Sequence, residues 1–241
     1  MPAKADILAR LQRDILLLQG IKSPSLQAVD ETGLGRINEA FPHGVFPRSA
    51  LHEFFCTSQE SATASMAFIS GIVSALTKSK GVVMWISSSR RIFPPALNAF
   101  GIQPGQVIFL ELQKEKEVAW AVEEALKCRS LSAVIGEMQE LSFTASRRYQ
   151  LAIEQSGVGC FVIRRNPKNR TTASVTRWQV ETIRSGQPDD LPGVGYPRWQ
   201  VSLLKVRNGK PGSWNVEWVK GAFRTVSKLA ILHREAQKKT G

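Results

Sequence analysis

The sequence predicts an α/β fold, a predominantly parallel sheet flanked by helices and followed by a C-terminal antiparallel hairpin. Three observations carry this. Between residues 49 and 163, apolar runs of strand length alternate with helical stretches of roughly 10–15 residues, the pattern of right-handed βαβ units. After residue 163 the rhythm changes to strands with a hairpin signal between them. Finally, Leu51-His52-Glu53-Phe54-Phe55 leads through small polar residues into an apolar helical run. That is the layout of the strand, loop and helix that hold a nucleotide's phosphates.

Residues 2–19 read as one helix, with Pro2 early and Gly20 at its end. Ile7, Leu8, Leu11, Ile15 and Leu18 form an apolar stripe at helical spacing. Such a stripe packs on its own domain or docks on a partner. A strand is expected over Ser49–Phe55 and a helix over 61–77. Gly81–Ile86 is a continuous apolar run, as in a strand buried on both faces. Pro94 and Pro95 open a helix over Ala96–Phe100, and Val107–Leu110 is a short strand. Glu115–Cys128 is an amphipathic helix, Ala133–Glu137 a strand, and Ser142–Ser156 a helix with a Ser cap. Gly159–Ile163 is the next strand, and residues 164–172 form a basic loop. Val175–Arg184 alternates like a strand. A loop rich in Pro and Gly precedes the strands Arg198–Val206 and Trp214–Val219, joined by a hairpin at 207–213. The tail from Lys228 reads as helical and basic.

At 241 residues, the chain is long enough for a sizeable core. Its 32 Lys+Arg against 20 Asp+Glu give a formal net charge of +12, which favours polyanionic partners. Cys56, Cys128 and Cys160 lie far apart without a CxxC, as expected of buried thiols in a reducing compartment. His43, His52 and His233 make no HxH or HExxH, so no metal is expected. No apolar run approaches the roughly 20 residues of a spanning helix, and the first residues lack the pattern of a signal peptide. A cytoplasmic, nucleoid-associated protein without membrane contact is expected.

A phosphate-binding loop follows Gly-x-x-x-x-Gly-Lys-Ser/Thr, with glycines for the backbone curl and Lys for the phosphate charge. Aligned on the strand, Cys56 stands at the first Gly, Ser61 at the second and Ala62 at the Lys; Thr63 keeps the magnesium-side hydroxyl. The order of elements, with Gly33-Leu34-Gly35 and Phe41–Arg48, resembles the core ATPase domain of the RecA recombinase over most of 33–225. The resemblance implies a RecA-like P-loop NTPase fold, puts Ser89 where RecA-like ATPases carry a water-activating Glu, and leaves Glu137 as a residual acid. A more specific resemblance, over essentially the whole chain, is to the ImuA family, carried by Met1–Leu11, by Pro42–Pro47 and by the size. It implies three parts: an N-terminal amphipathic helix and linker (1–32), a degenerate RecA-like core (33–225) and a basic tail (226–241).

No enzyme activity and no cofactor are expected, because phosphoryl transfer depends on positioned charges and two parts of an ATPase are missing together. The counter-reading is a Lys or Arg supplied from elsewhere, for instance Arg90 or Arg91. The resemblance implies a RecA-related, SulA-related accessory protein of error-prone translesion synthesis in the SOS DNA-damage response. Its implied partners are an ImuB-type polymerase-like protein and an error-prone replicative-type polymerase, with RecA and single-stranded DNA as further candidates. The competing expectation is a SulA-like inhibitor of cell division acting by protein contact alone. Arg164, Arg165, Lys168 and Arg170 are the expected DNA contacts, since in RecA the loop after this strand meets single-stranded DNA. Trp199, Trp214 and Trp218 either stack bases or fill a core. The stripe at Ile7–Leu18 and the tail residues Lys228, Arg234, Lys238 and Lys239 are the expected partner-binding surfaces.

Overall fold

The computed structural model describes residues 32–77, 81–89, 91–165, 171–186 and 195–226. The predicted N-terminal stripe (Ile7, Leu8, Leu11, Ile15, Leu18) and the tail residues Lys228, Arg234, Lys238 and Lys239 lie outside them, as do Arg90, Lys168 and Arg170.

In chain order the elements are β1 (Leu51–Phe55), α1 (Gln59–Thr77), β2 (Val82–Ser87), a 3-10 turn (Pro94–Phe100), β3 (Val107–Glu111) and α2 (Glu115–Leu126). There follow β4 (Leu131–Met138), α3 (Phe143–Ser156), β5 (Gly159–Arg164), β6 (Thr176–Gly186), β7 (Tyr196–Val206), β8 (Gly212–Val219) and β9 (Ala222–Val226). All nine strands join one sheet in the order β3-β2-β4-β5-β1-β6-β7-β8-β9. Every neighbouring pair from β3 across to β6 is parallel. From β6 to β9 the pairs are antiparallel. The antiparallel part is therefore larger than the predicted hairpin.

Local chemistry explains the boundaries. Ser142 caps α3 by accepting from the Ala145 N–H at 3.1 Å, and Gly157 ends it in the left-handed region at φ 80°. The Pro94-Pro95 pair opens a 3-10 turn rather than the expected α-helix. Gln59 begins α1 two residues earlier than expected.

β1 and β5, central in the sheet, are buried at every position, as strands covered on both faces are, and His52, Glu53 and Arg164 are buried with them. One face packs on α1 and the 3-10 turn through Phe54, Phe68, Ile72, Trp85 and Trp178. The other packs on α2 and α3 through Val118, Val122, Tyr149, Ile153 and Val162. Trp199 and Trp218 are buried in the α1 layer and Trp214 packs against it, so the strand tryptophans fill a core rather than offering rings to bases. His52 is enclosed in the same strand, its ring stacked between Phe46 and Phe161. No helix of the described residues is long and apolar enough to cross a membrane.

Candidate functional site

The segment laid out like a phosphate loop is short. Cys56, Thr57 and Ser58 are all that separates β1 from α1. The helix is already under way at Ala62, whose N–H bonds the Ser58 carbonyl at 3.1 Å. The two residues at Gly positions are both buried. Ser61 Oγ accepts from the N–H groups of Thr57 and Ser58, each at 3.0 Å, and donates to the Ser58 carbonyl at 3.0 Å. Ser58 Oγ in turn accepts from the Ser61 N–H at 3.1 Å. The amides that this layout aims at phosphate oxygens thus end on a hydroxyl of the chain itself.

Cys56 is a core thiol 3.4 Å from Ser65 Oγ, and burial pushes its pKa up to about 11. Ala62, at the Lys position, is buried in the α1 layer. Thr63 Oγ1 donates back to the Gln59 carbonyl at 3.0 Å within its own helix.

The residual acid has been re-employed. Glu137 is buried near the end of β4, accepts from Trp85 Nε1 at 2.8 Å and forms an ion pair with Arg165. Arg165 also reaches Gln59 Oε1 at 3.2 Å, and Arg91 donates to the same oxygen at 2.6 Å. Arg91 further donates to Ser89 Oγ at 3.0 Å. Arg91 and Arg165 thus converge on a neutral amide of α1. A cavity of about 40 Å³ beside Trp85 and Glu111 leaves room for a few waters.

A second polar centre lies under β1, β5 and β6. Glu53 is fully buried and receives Arg164 Nη1 at 3.2 Å on one oxygen. Its other oxygen accepts from Thr172 Oγ1 at 2.8 Å, Ser174 Oγ at 2.9 Å and Arg177 Nε at 3.1 Å. The Arg164 and Arg177 guanidinium carbons lie 5.0 and 4.6 Å from the Phe55 ring centre. A buried carboxylate needs such partners. This corrects the placing of Arg164 among the DNA contacts. It is completely buried and paired, so a phosphate cannot reach it in this arrangement. Arg165 is mostly covered and paired with Glu137. Neither Glu53 nor the Ser61 clasp was expected from sequence, although an acid inside an apolar strand was itself the signal that a partner must exist.

His52 plays no acid–base part. Nε2 lies 3.0 Å from the Pro47 carbonyl, which only accepts, so Nε2 carries the proton. Nδ1, unprotonated, accepts from Thr176 Oγ1 at 2.7 Å, and that hydroxyl oxygen accepts in turn from Trp178 Nε1 at 2.7 Å. Burial lowers the imidazole pKa to about 3 and keeps the ring neutral. Among the described residues no group of three or more His, Cys, Asp or Glu is placed to hold a metal ion.

No protein-family model matches the chain. Curated relatives do. The chain is 33% identical over 212 residues to Protein ImuA of Caulobacter vibrioides strain NA1000 / CB15N, a match covering 80% of this chain and 87% of the relative. The same figures hold for Protein ImuA of strain ATCC 19089 / CIP 103742 / CB 15. The chain belongs to the ImuA family. Among solved structures, the RadB recombinase superposes with a TM-score of 0.54 at 12% identity, covering 77% of this chain and 94% of RadB. This member of the ImuA family therefore has a RecA-like fold, and the segment closed by Ser61 stands after the first strand of that fold.

Proposed function

We propose that the protein is a non-catalytic RecA-like accessory factor of error-prone translesion synthesis in the DNA-damage response. It assembles with an ImuB-type polymerase-like protein and an error-prone replicative-type polymerase. Family membership supports the setting. The observation that carries the non-catalytic reading is Ser61, whose hydroxyl takes the two loop amides that a phosphate would need. Without a Lys at position 62, and with Arg91 and Arg165 engaged by Gln59, no described cation near the loop faces an open site.

Lys168 and Arg170 remain the proposed loop contacts to single-stranded DNA, and residues 1–22 and 226–241 the proposed partner surfaces. Two measurements test this. Calorimetry at millimolar ATP is expected to give no saturable binding; a micromolar dissociation constant would sink the non-catalytic reading. Co-purification with the two polymerase-type partners is expected for the full chain and is expected to fall on removal of either end. Loss of co-purification altogether, with cell filamentation on overexpression, would transfer the reading to division inhibition.

A further inference from the structure

Four cations gather where the β5–β6 connection returns to the sheet. Arg164 and Arg177 meet at Glu53. Lys205 lies directly across from Arg177 in the β6–β7 ladder. Its ammonium donates to the carbonyls of Thr172 at 3.3 Å and Ser174 at 2.9 Å. Arg207, two residues further along the same edge, donates to the Ala173 carbonyl at 3.2 Å. Glu53 is the carboxylate that Arg164 and Arg177 share.

Burial and the neighbouring Arg177 and Arg207 push the Lys205 ammonium below the ordinary lysine value, with Glu53 opposing. Carbonyl contacts orient Lys205 and Arg207. Arg207 is exposed and Lys205 partly so, while Arg164 and Arg177 lie covered behind them.

Its geometry is fixed from below. The β7–β8 turn docks on a 3-10 turn before β1 (Gly35–Ala40), where the Lys210 N–H bonds the Ala40 carbonyl at 2.9 Å. The Arg207 N–H bonds the Val175 carbonyl at 2.8 Å.

We propose that Lys205 and Arg207, backed by Arg177, form a preorganised contact for the phosphodiester backbone of DNA, separate from the loop at 166–170. This rests on the reading of the protein as a factor working at DNA. Phosphate contacts of this kind carry affinity without reading sequence. The test is salt-dependent binding of a fluorescent single-stranded oligonucleotide, with its duplex as a second arm, by the full-length protein. Lys205→Gln/Arg207→Gln is expected to lower the slope of log K against log salt by about 1.4 for single strands, a loss on the order of tenfold or more near 0.1 M salt. Lys205→Arg/Arg207→Lys is expected to retain both affinity and slope. Lys114→Gln/Lys127→Gln, which removes the same charge elsewhere, is expected to change neither by more than a fraction of that.

Circular dichroism checks each variant's fold, and Arg207→Gln alone, at an exposed side chain, replaces the double variant if that unfolds. An unchanged slope in a folded variant overturns the proposal. So does an equal loss in the Lys114/Lys127 control, or competition by poly-glutamate equal to that by oligonucleotide. If the wild type binds no oligonucleotide at low salt the proposal also falls, while the assembly reading stands or falls separately on co-purification.

Discussion

At the scale of single residues, the most consequential side chain is Glu53, an acid held at no solvent exposure by two arginines and two hydroxyls. Removing it strands two guanidinium groups in a covered site. Glu53→Ala is expected to destabilise the fold by about 3–5 kcal/mol, read as a shift in the midpoint of urea unfolding. Glu53→Gln, which keeps acceptor and shape, is expected to cost less; equal stability of Glu53→Ala and wild type would refute the view of this network as a structural anchor. The network was hidden in the sequence because its members are 111 to 124 positions from Glu53. The acid itself was visible in Leu51–Phe55, but nothing local named its partner. Ser61 was hidden for a different reason. Aligned to a phosphate-loop pattern it reads as a lost glycine, whereas its gain lies in a hydroxyl that bonds the backbone three and four residues before it.

At the scale of elements, the strands up to β5 were legible because strands covered on both faces are mostly apolar, and these are, with His52, Glu53, Glu137 and Arg164 as polar exceptions. α2 and α3 were legible from their stripes and from the Ser142 cap. β9 was missed: five residues, one turn after β8, carry too little pattern to stand out from a loop. The start of α1 was misplaced because Gln59 and Glu60 look like loop residues until Ser61 is seen closing the turn. The β7–β8 hairpin was predicted, but what pins it was not. A Cβ on Gly209 would lie 2.2 Å from the Ala40 carbonyl oxygen and 2.9 Å from Val206. Backbone cannot yield as a side-chain tip does, so Gly209→Ala is expected to lower stability by about 1–3 kcal/mol. Thermal unfolding checks this, and an unchanged midpoint would mean that the hairpin is not held against the 3-10 turn.

At the scale of the whole molecule, the mixed sheet divides the interior into two layers, each holding one buried thiol. Cys56 belongs to the α1 layer and Cys160 to the α2–α3 layer, while Cys128 is exposed. Burial raises the pKa of both buried thiols. Alkylation followed by mass spectrometry is expected to modify Cys128 in the native protein and to reach Cys56 and Cys160 only at the denaturant midpoint, both together. Separate midpoints would mean that the layers unfold independently. The α/β class was readable at this scale from the alternation of elements, while the working surfaces were not: charge placed a preference for polyanions in the chain, and only the ladder between β6 and β7 brings Arg177, Lys205 and Arg207 to one place. The Ser61 closure has a last consequence, one of timing. A nucleotide-driven assembly carries its own clock, since hydrolysis changes the loop and ends the contact. A loop whose amides are occupied by its own side chain has no such clock. If the protein works as proposed, the lifetime of its complexes is set by dissociation rates and by how much of each component is present, so synthesis and removal of the proteins become the switch.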